Sequence, residues 1–209
     1  MMPWVPLNGP CSLSTAQWTA GIAAGTPCDD NNQLTELLGA TFTTPPFTEP
    51  YAISGPIDAT IWMSSNATDA QIIATLSDVA PGNTSSAQIT QGTLVASLRQ
   101  LTTTKCSSIV DNCSVFGGDQ LLEPWHPYTL ASQTPLTPMQ PTKLDIEIFP
   151  TSAVLEPGHS LRLTLTTADF PHELPTLPTL VNGAAAIDMI YLGPQYPSSI
   201  YLKNVSPML

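Results

Sequence analysis

The sequence predicts an all-β fold, a β-sandwich of two antiparallel sheets, and three observations support this prediction. Leu161, Leu163 and Leu165 alternate with polar residues, which is the period-two pattern of a strand with one buried face. The chain contains 22 prolines and 12 glycines, and these turn-forming residues recur between short apolar segments. Charged residues make up only 10% of the chain, so the Glu, Lys and Arg that favour helices are scarce. We therefore expect about eight short strands and no long helix.

Two regions are predicted along the chain. Residues 1–36 are expected to form an irregular N-terminal extension, because proline, glycine and an Asp-Asp-Asn-Asn run interrupt it too often for long elements. Residues 37–209 are expected to form the sandwich, beginning with strands at 38–44 and 51–65. In the second of these strands the expected inward residues are Ile57, Ala59, Ile61 and Met63.

The next two strands are predicted at 70–79 and 87–99, joined as an antiparallel hairpin through a Pro-Gly-Asn turn. Gly92 interrupts the second of these strands, and we expect a β-bulge at this glycine. Residues 101–141 have little periodicity and are expected to form a long polar loop.

The remaining strands are predicted in the last third of the chain. Alternating apolar residues place one strand at 144–148, and the leucine pattern places the next at 161–165. Residues 173–186 are expected to form a loop. Short strands at 187–192 and 200–205 complete the sandwich.

The charge balance argues against two classes of partner. Sixteen acidic residues face five basic ones, which gives a net charge of −11. The basic residues are scattered, so nucleic-acid binding is not expected, and an anionic membrane surface would repel the chain. No apolar run approaches the roughly 20 residues of a membrane span, and the first residues lack the basic and apolar regions of a signal peptide.

The four cysteines occur as two local pairs, Cys11 with Cys28 and Cys106 with Cys113. No Cys-x-x-Cys motif and no histidine at ligand spacing accompanies them, so a zinc site is not predicted. Their even number in polar, loop-like segments predicts two disulfides, while four free thiols remain the alternative and the connectivity is open. Disulfides would indicate an oxidising compartment, although this chain shows no signal peptide.

Sequence motifs for catalysis and for cofactors are absent from this chain. An α/β-hydrolase needs a Gly-x-Ser-x-Gly nucleophile elbow between a strand and a helix, and none occurs. There is also no phosphate-binding glycine loop and no His-Glu-x-x-His motif. We therefore predict no catalytic residue, no cofactor and no metal, and expect the chain to be inactive on its own.

For the three histidines, a structural role is favoured over a functional one. His126 lies in a proline-bordered loop, and His159 follows a Pro-Gly turn whose backbone it is expected to hydrogen bond. His172 has Asp169 and Glu173 nearby in sequence, and a histidine with two carboxylates can form a catalytic base or a metal site. The spacing matches no recognised ligand pattern, and Asp169 is expected to turn the backbone at the end of a strand.

Tryptophans mark candidate contact surfaces. Trp4, Trp18 and Trp125 lie in segments predicted to be irregular, whereas Trp62 lies on the predicted outward face of a strand. An outward tryptophan on a sandwich either marks a contact surface or is covered by a long loop, and both alternatives stay open. The candidate interdomain or cleft contacts are Trp4, Trp18, Trp62, Trp125, His126 and His172.

Several segments are informative as an ordered set rather than singly. They are Tyr51-Ala-Ile-Ser-Gly-Pro-Ile-Asp-Ala-Thr-Ile-Trp, Ala74-Thr-Leu-Ser-Asp-Val-Ala-Pro-Gly, Gln91-Gly-Thr-Leu-Val-Ala-Ser-Leu-Arg, Asp145-Ile-Glu-Ile-Phe-Pro-Thr, Pro157-Gly-His-Ser-Leu-Arg-Leu, Asp169-Phe-Pro and Gly193-Pro-Gln-Tyr-Pro-Ser-Ser-Ile. Together, over about residues 37–205, they resemble the C-terminal domain of the X-Pro dipeptidyl-peptidase and cocaine-esterase-like (CocE/NonD) hydrolases. The Cys11–Cys28 segment resembles that of the bacterial acyl-hydrolase members.

This resemblance implies a jelly-roll, galactose-binding-like sandwich that packs against an α/β-hydrolase domain and helps to shape its active-site cleft. In the family the catalytic Ser, Asp and His lie in that preceding domain, so no catalytic residue is carried over. Full-length relatives with these cysteines are expected to be secreted or attached to the cell envelope. Family domains begin with a further strand, which implies an unpaired sheet edge in this chain.

The sequence leaves three candidate functions for this chain. The leading one is a non-catalytic accessory domain of a CocE or X-Pro dipeptidyl-peptidase-like serine hydrolase that acts on esters, amides or X-Pro peptides. The alternative is a stand-alone sandwich that binds carbohydrate or a protein surface. The third is an independent enzyme that uses His172, which the missing ligand pattern disfavours.

Overall fold

A computed structural model describes residues 1–3, 20, 22, 32–82, 86–106, 113–169, 173, 175, 177–183 and 185–205. In these residues the strands are β1 (Met2–Pro3), β2 (Ala40–Thr43), β3 (Tyr51–Ser65), β4 (Gln71–Val79), β5 (Ala87–Val95), β6 (Lys105–Cys106), β7 (Ser114–Gly117), β8 (Gln120–Glu123), β9 (Thr142–Leu155), β10 (Ser160–Thr166), β11 (Ile187–Tyr191) and β12 (Ser199–Val205). The helices are α1 (Gln33–Leu38) and α2 (Leu177–Gly183), and 3-10 turns span Ala96–Leu98 and Leu130–Ser132.

Two antiparallel sheets pack face to face, which confirms the predicted all-β sandwich. In the first sheet β3 is central, with β9 along one edge and β11 and β12 along the other, and β1 pairs with β11. The second sheet has the order β2-β10-β4-β5. A small third sheet, β6-β7-β8, lies within residues 101–141, so the expectation of a plain loop there is wrong.

The alternating apolar residues face the space between the two sheets, as the period-two pattern predicts. Ile57, Ala59 and Met63 of β3 are buried, and so are Leu161 and Leu165 of β10. The same core includes Ile72, Ala74, Leu76, Leu94, Leu144, Ile146 and Ile148. Each fully buried aliphatic side chain of this kind stabilises the fold by roughly 1.5–3 kcal/mol.

On one side of the sandwich, which we call the closed seam, β5 lies against β9. A β-carbon added at Gly92 would lie only 1.8 Å from the carbonyl oxygen of Glu147, so only glycine permits this approach. Nearby, the Thr90 hydroxyl donates a hydrogen bond of 2.8 Å to the carbonyl oxygen of Phe149. The two sheets are therefore in direct backbone contact at this seam.

The bulge predicted at Gly92 is wrong, because this glycine pairs directly with Ala74 across the β4–β5 hairpin. The register of the hairpin shifts elsewhere, between Leu76 and Ser77. The glycine is required by the approach of β9 and not by a distortion of its own strand.

The ladder between β3 and β9 is interrupted between Gly55 and Ile57. Pro56 and Pro150 both fall in this gap, where a residue without an N–H donor costs no ladder hydrogen bond. Gly55 has a φ of 108°, a conformation that other residues rarely adopt. Beyond the interruption β9 continues to Leu155, well past the strand predicted at 144–148.

The loop predicted at 173–186 is wrong in part, because α2 occupies half of it. Its sequence begins with Leu177-Pro178, and proline is well tolerated in the first turn, where the N–H has no helical partner. The other helix, α1, lies against the second sheet, and Glu36 forms an ion pair of 2.6 Å with Arg162. The domain boundary between residues 36 and 37 stays a prediction.

Candidate docking surface

The side of the sandwich opposite the closed seam, which we call the open seam, lies between β2 and β10 of one sheet and β11 and β12 of the other. It contains an apolar trough made of two adjoining cavities of about 280 and 290 Å³, which share Thr44, Leu161 and Ile200. Further walls of the first cavity are Phe42, Leu163, Ile190 and Leu192, and further walls of the second are Phe47, Tyr51 and Leu202.

The floor of the trough is the hydrophobic core itself. Ile61, Leu76 and Leu165 line the first cavity, and none of them is more than 2% exposed. A side chain inserted from outside would therefore contact core residues directly and extend the core outward.

The trough is uncharged, although the chain as a whole carries a net charge of −11. None of the described residues that line the two cavities is acidic or basic. The polar groups of its lining are hydroxyls, from Thr43, Thr44, Ser198, Ser199 and two tyrosines. The lining thus suits an apolar, neutral occupant.

Two strand edges border the trough. In the part of the chain that the structure describes, β2 pairs only with β10, and β12 pairs only with β3. An edge strand presents unpaired N–H and C=O groups that another extended segment can pair with. The mouth of the trough is therefore flanked by backbone donors and acceptors.

Apolar groups also mark the two ends of the trough. At one end Phe47 and Tyr51 stack with their ring centroids 4.4 Å apart. At the other end Leu192 is 62% exposed. Single exposed leucines are common on proteins, but this one lies on the rim of an apolar cavity.

Trp62 lies on the outer face of β3, where the sequence predicts it, and is half-buried. Its ring centroid is 5.2 Å from that of Tyr196, which lies 5.3 Å from that of Tyr191. The loop between β11 and β12 carries Tyr196, so this loop covers the tryptophan in part. A contact role for Trp62 stays a prediction.

Two carboxyl groups meet on the same outer face. The Thr60 hydroxyl lies 2.9 Å from Asp145 Oδ1 and 3.3 Å from Asp58 Oδ2, and it can donate its one proton to only one of them. Lys143 forms an ion pair of 2.7 Å with Asp145. Burial, together with repulsion by Asp145, raises the pKa of Asp58 to about 7. Asp58 therefore keeps its proton to a higher pH than an ordinary aspartate does.

His126 is 2% exposed and lies between two carbonyl oxygens. Its Nδ1 is 3.2 Å from the oxygen of Gln100, and its Nε2 is 2.8 Å from that of Asp145. The half-buried Trp125 next to it donates its backbone N–H to Ser114 Oγ at 3.0 Å. These bonds fasten the segment with the small third sheet to β9, while a contact role for His126 and Trp125 stays a prediction.

The Cys106–Cys113 disulfide is present, with Cα atoms 6.0 Å apart, which confirms one of the two predicted pairs. It connects β6 to the residue that precedes β7, beside the short parallel pairing of these strands. The remaining sequence-predicted positions lie outside the described residues: Cys11, Cys28, Trp4, Trp18 and His172.

His159 donates its backbone N–H to the carbonyl oxygen of Glu156 at 3.0 Å, so it hydrogen bonds the turn backbone as predicted. Its Nδ1 also lies 2.8 Å from the carboxylate of Asp78. The pair joins the residue before β10 to β4. Asp169, which follows β10, accepts a hydrogen bond of 2.8 Å from the Gln91 side chain.

Sequence reasoning missed the trough and with it Phe42, Leu192 and Ile200. The leucines of β10 are correctly predicted to point inward, but the pattern does not tell whether the opposite position is filled. The available signal was indirect: Leu192 is an apolar residue next to the Gly193-Pro194 turn, where a polar residue would be ordinary.

Within the described residues, no group of three or more His, Cys, Asp and Glu side chains is arranged to hold a metal ion. A search of the same residues finds no helix with the length and apolar character needed to span a membrane.

Together, the fold and the trough define an all-β sandwich domain with one sealed side and one open, apolar side. Residues 6–201 match the family described as the X-Pro dipeptidyl-peptidase C-terminal non-catalytic domain. Because this match covers nearly the whole chain, the chain belongs to that family. The resemblance drawn from the sequence is thereby confirmed.

Curated relatives are much longer than this chain. It is 25% identical over 193 residues to proteins of Mycobacterium bovis and Mycobacterium tuberculosis that are named as candidate serine esterases. These matches cover 92% of the chain but only 28% of each relative.

Solved structures share the fold. An aminopeptidase from the marine sediment archaeon Thaumarchaeota archaeon superposes with a TM-score of 0.62 and 16% identity, over 88% of this chain and 30% of its own. A CocE/NonD family hydrolase from Staphylococcus aureus gives 0.60 and 16%, over 81% and 31%. An α-amino acid ester hydrolase gives 0.58 and 19%, over 79% and 25%. In each case the sandwich is a minor part of a larger chain.

Proposed function

We propose that this chain is an accessory domain that packs against an α/β-hydrolase domain and helps to shape the active-site cleft of that enzyme. One observation carries the proposal: residues 6–201 match a family of non-catalytic domains, while the chain spans only 28% of its curated relatives. The remainder of such a relative is large enough to be a separate domain, and the sandwich offers it an open apolar side.

The parent enzyme is proposed to be a serine hydrolase that cleaves esters, amides or X-Pro peptides. The names of the relatives, which include a serine esterase, an amino acid ester hydrolase and an aminopeptidase, support this range. Its nucleophile, base and acid belong to the hydrolase domain on this proposal. The disulfide of the third sheet supports an oxidising compartment as the place of work.

Co-expression with the α/β-hydrolase domain of the proposed parent enzyme tests the proposal. We expect a stable complex whose kcat/KM for a chromogenic ester is about tenfold higher than that of the hydrolase domain alone, because the cleft is then correctly shaped. The isolated chain should give no turnover above buffer. Failure of the two domains to associate would contradict the proposal, and so would turnover by the isolated chain that His172→Ala abolishes.

A second candidate function, carbohydrate binding, is favoured by the aromatic cluster of Trp62, Tyr191 and Tyr196. Aromatic rings with hydroxyl and carboxyl groups beside them, such as Thr60 and Asp145, are suited to a sugar ring. Glycan-array binding that is lost in Trp62→Ala but kept in Trp125→Ala would favour this candidate over the accessory role.

A further inference from the structure

We propose that the trough of the open seam holds an extended, apolar segment of the α/β-hydrolase domain. This inference rests on the proposed function and names the surface through which it acts. The trough combines three properties that fit one occupant: an apolar lining, the absence of charge along that lining, and a strand edge on each side.

The lining determines the chemistry of the occupant. Phe42, Leu163 and Ile200 are only half-buried although they pack against the core, and Leu192 is mostly exposed. Removing such apolar surfaces from water is favourable. Apolar side chains that enter the two cavities would gain this contact with both walls and with the core residues of the floor.

The bordering strands determine the conformation of the occupant. A segment that pairs with the edge of β2 or of β12 that has no partner among the described residues is itself extended, and its alternate side chains then point toward the trough. Thr41 and Thr43 of β2 are exposed and uncharged, so no charged side chain on that edge opposes pairing.

The charge of the chain argues against a second copy as the occupant. Each copy carries a net charge of −11, so two copies repel each other as they approach, while a partner domain with less negative charge does not meet this barrier. The neutral trough is the part of this acidic molecule where an apolar partner meets no buried charge.

The test compares aspartate substitutions on the rim of the trough with one elsewhere. The probe is the purified α/β-hydrolase domain of the proposed parent enzyme, and its Kd for the full 209-residue chain is measured by calorimetry. Leu192→Asp and Ile200→Asp place a charge at the trough. Leu130→Asp is the control, because Leu130 is 87% exposed and lies outside both cavities. Circular dichroism confirms that each variant is folded.

We expect the wild type to bind, the two rim variants to bind at least tenfold more weakly, and Leu130→Asp to bind like the wild type. If the rim variants bind like the wild type, or the control is weakened as much, the trough is not the docking surface and the accessory function still stands. If the wild type does not bind, the accessory function itself fails. A dimer of the isolated chain in sedimentation that Leu192→Asp dissociates would identify a second copy as the occupant and overturn this inference.

Discussion

At the closed seam β5 approaches β9 until no room remains for a single β-carbon, whereas at the open seam β2 and β12 leave two cavities that reach the core. Both seams belong to the same pair of sheets and draw on the same kind of alternating strand. The difference is therefore not one of hydrophobicity. The closed seam closes because Gly92 lets two backbones touch, whereas the side chains that line the open seam leave two cavities between the edges.

The strongest test of this contrast is Gly92→Ala at the closed seam. The new methyl group would overlap the carbonyl oxygen of Glu147, so one sheet must move, and we expect a loss of about 4 kcal/mol in the free energy of unfolding. Gly193→Ala is the matched control, because nothing lies within 4 Å of its β-carbon position. Urea denaturation measures both, and a loss below about 1 kcal/mol for Gly92→Ala would show that the seam is not tightly packed.

Two Leu→Ala substitutions compare the packing of the core, at Leu144, with the packing of the trough wall, at Leu163. Leu144 of β9 is completely buried, and we expect Leu144→Ala to cost about 3 kcal/mol. Leu163 faces the trough and has fewer atoms around it, so Leu163→Ala should cost only about 1 kcal/mol. Equal losses in the two unfolding curves would mean that the trough wall is as well packed as the core.

Asp58, which pairs with Glu147 across β3 and β9, makes stability depend on pH. Its pKa is about 7 in the folded state against 3.8 for the ordinary group, so the folded protein holds the extra proton between these values. This contribution is complete below pH 3.8 and is lost as pH rises through about 7. We expect Asp58→Asn to be about 2 kcal/mol more stable than the wild type at pH 8, with little difference at pH 4.

Thermal unfolding of both proteins from pH 4 to pH 8 gives this difference directly. Asp145→Asn serves as the comparison. Removing the charge of Asp145 should lower the pKa of Asp58, so the stability of this variant should depend less on pH than that of the wild type. If the stability of the wild type and that of Asp58→Asn change with pH in parallel, the raised pKa of Asp58 is contradicted.

The smallest effect is expected at the rim of the open seam. Leu192→Ser should change the free energy of unfolding by less than about 0.5 kcal/mol, because exposed side chains contribute little to stability. Binding of a neutral apolar dye to the trough should nevertheless weaken. A stability loss above about 1 kcal/mol would show that Leu192 holds the seam together rather than being free for contact.

The interiors of the strands could be predicted from the sequence more securely than the relation between the sheets. The bounds of β3 agree with the prediction because four apolar residues alternate without error and turns lie on either side. The far half of β9 was missed because Pro150 resembles a strand end, and only the partner strand shows that it lies in a gap of the ladder.

The candidate site was less predictable, for a physical reason. A local pattern records which face of a strand is apolar, but a cavity depends on the distance between strands that are far apart in sequence. Gly92 illustrates the limit. The glycine is evident in the sequence, but the close approach of the Glu147 carbonyl group, which requires a glycine there, is not. Trp62 could be placed on the outer face from its alternation, whereas its cover by Tyr196 could not.

The topology of the first sheet also has a kinetic consequence. β3 is followed at once by the β4–β5 hairpin, but its own partners come late: Tyr51 pairs with Leu155, and Thr60 pairs with Asp145 and Ser199. Such distant pairing is slow, because a long loop must close before any contact forms. During synthesis one edge of this long strand stays unpaired until β9 emerges, and the other stays unpaired until β11 and β12 emerge. A neighbouring domain that has already folded would shorten the period in which β3 is able to aggregate.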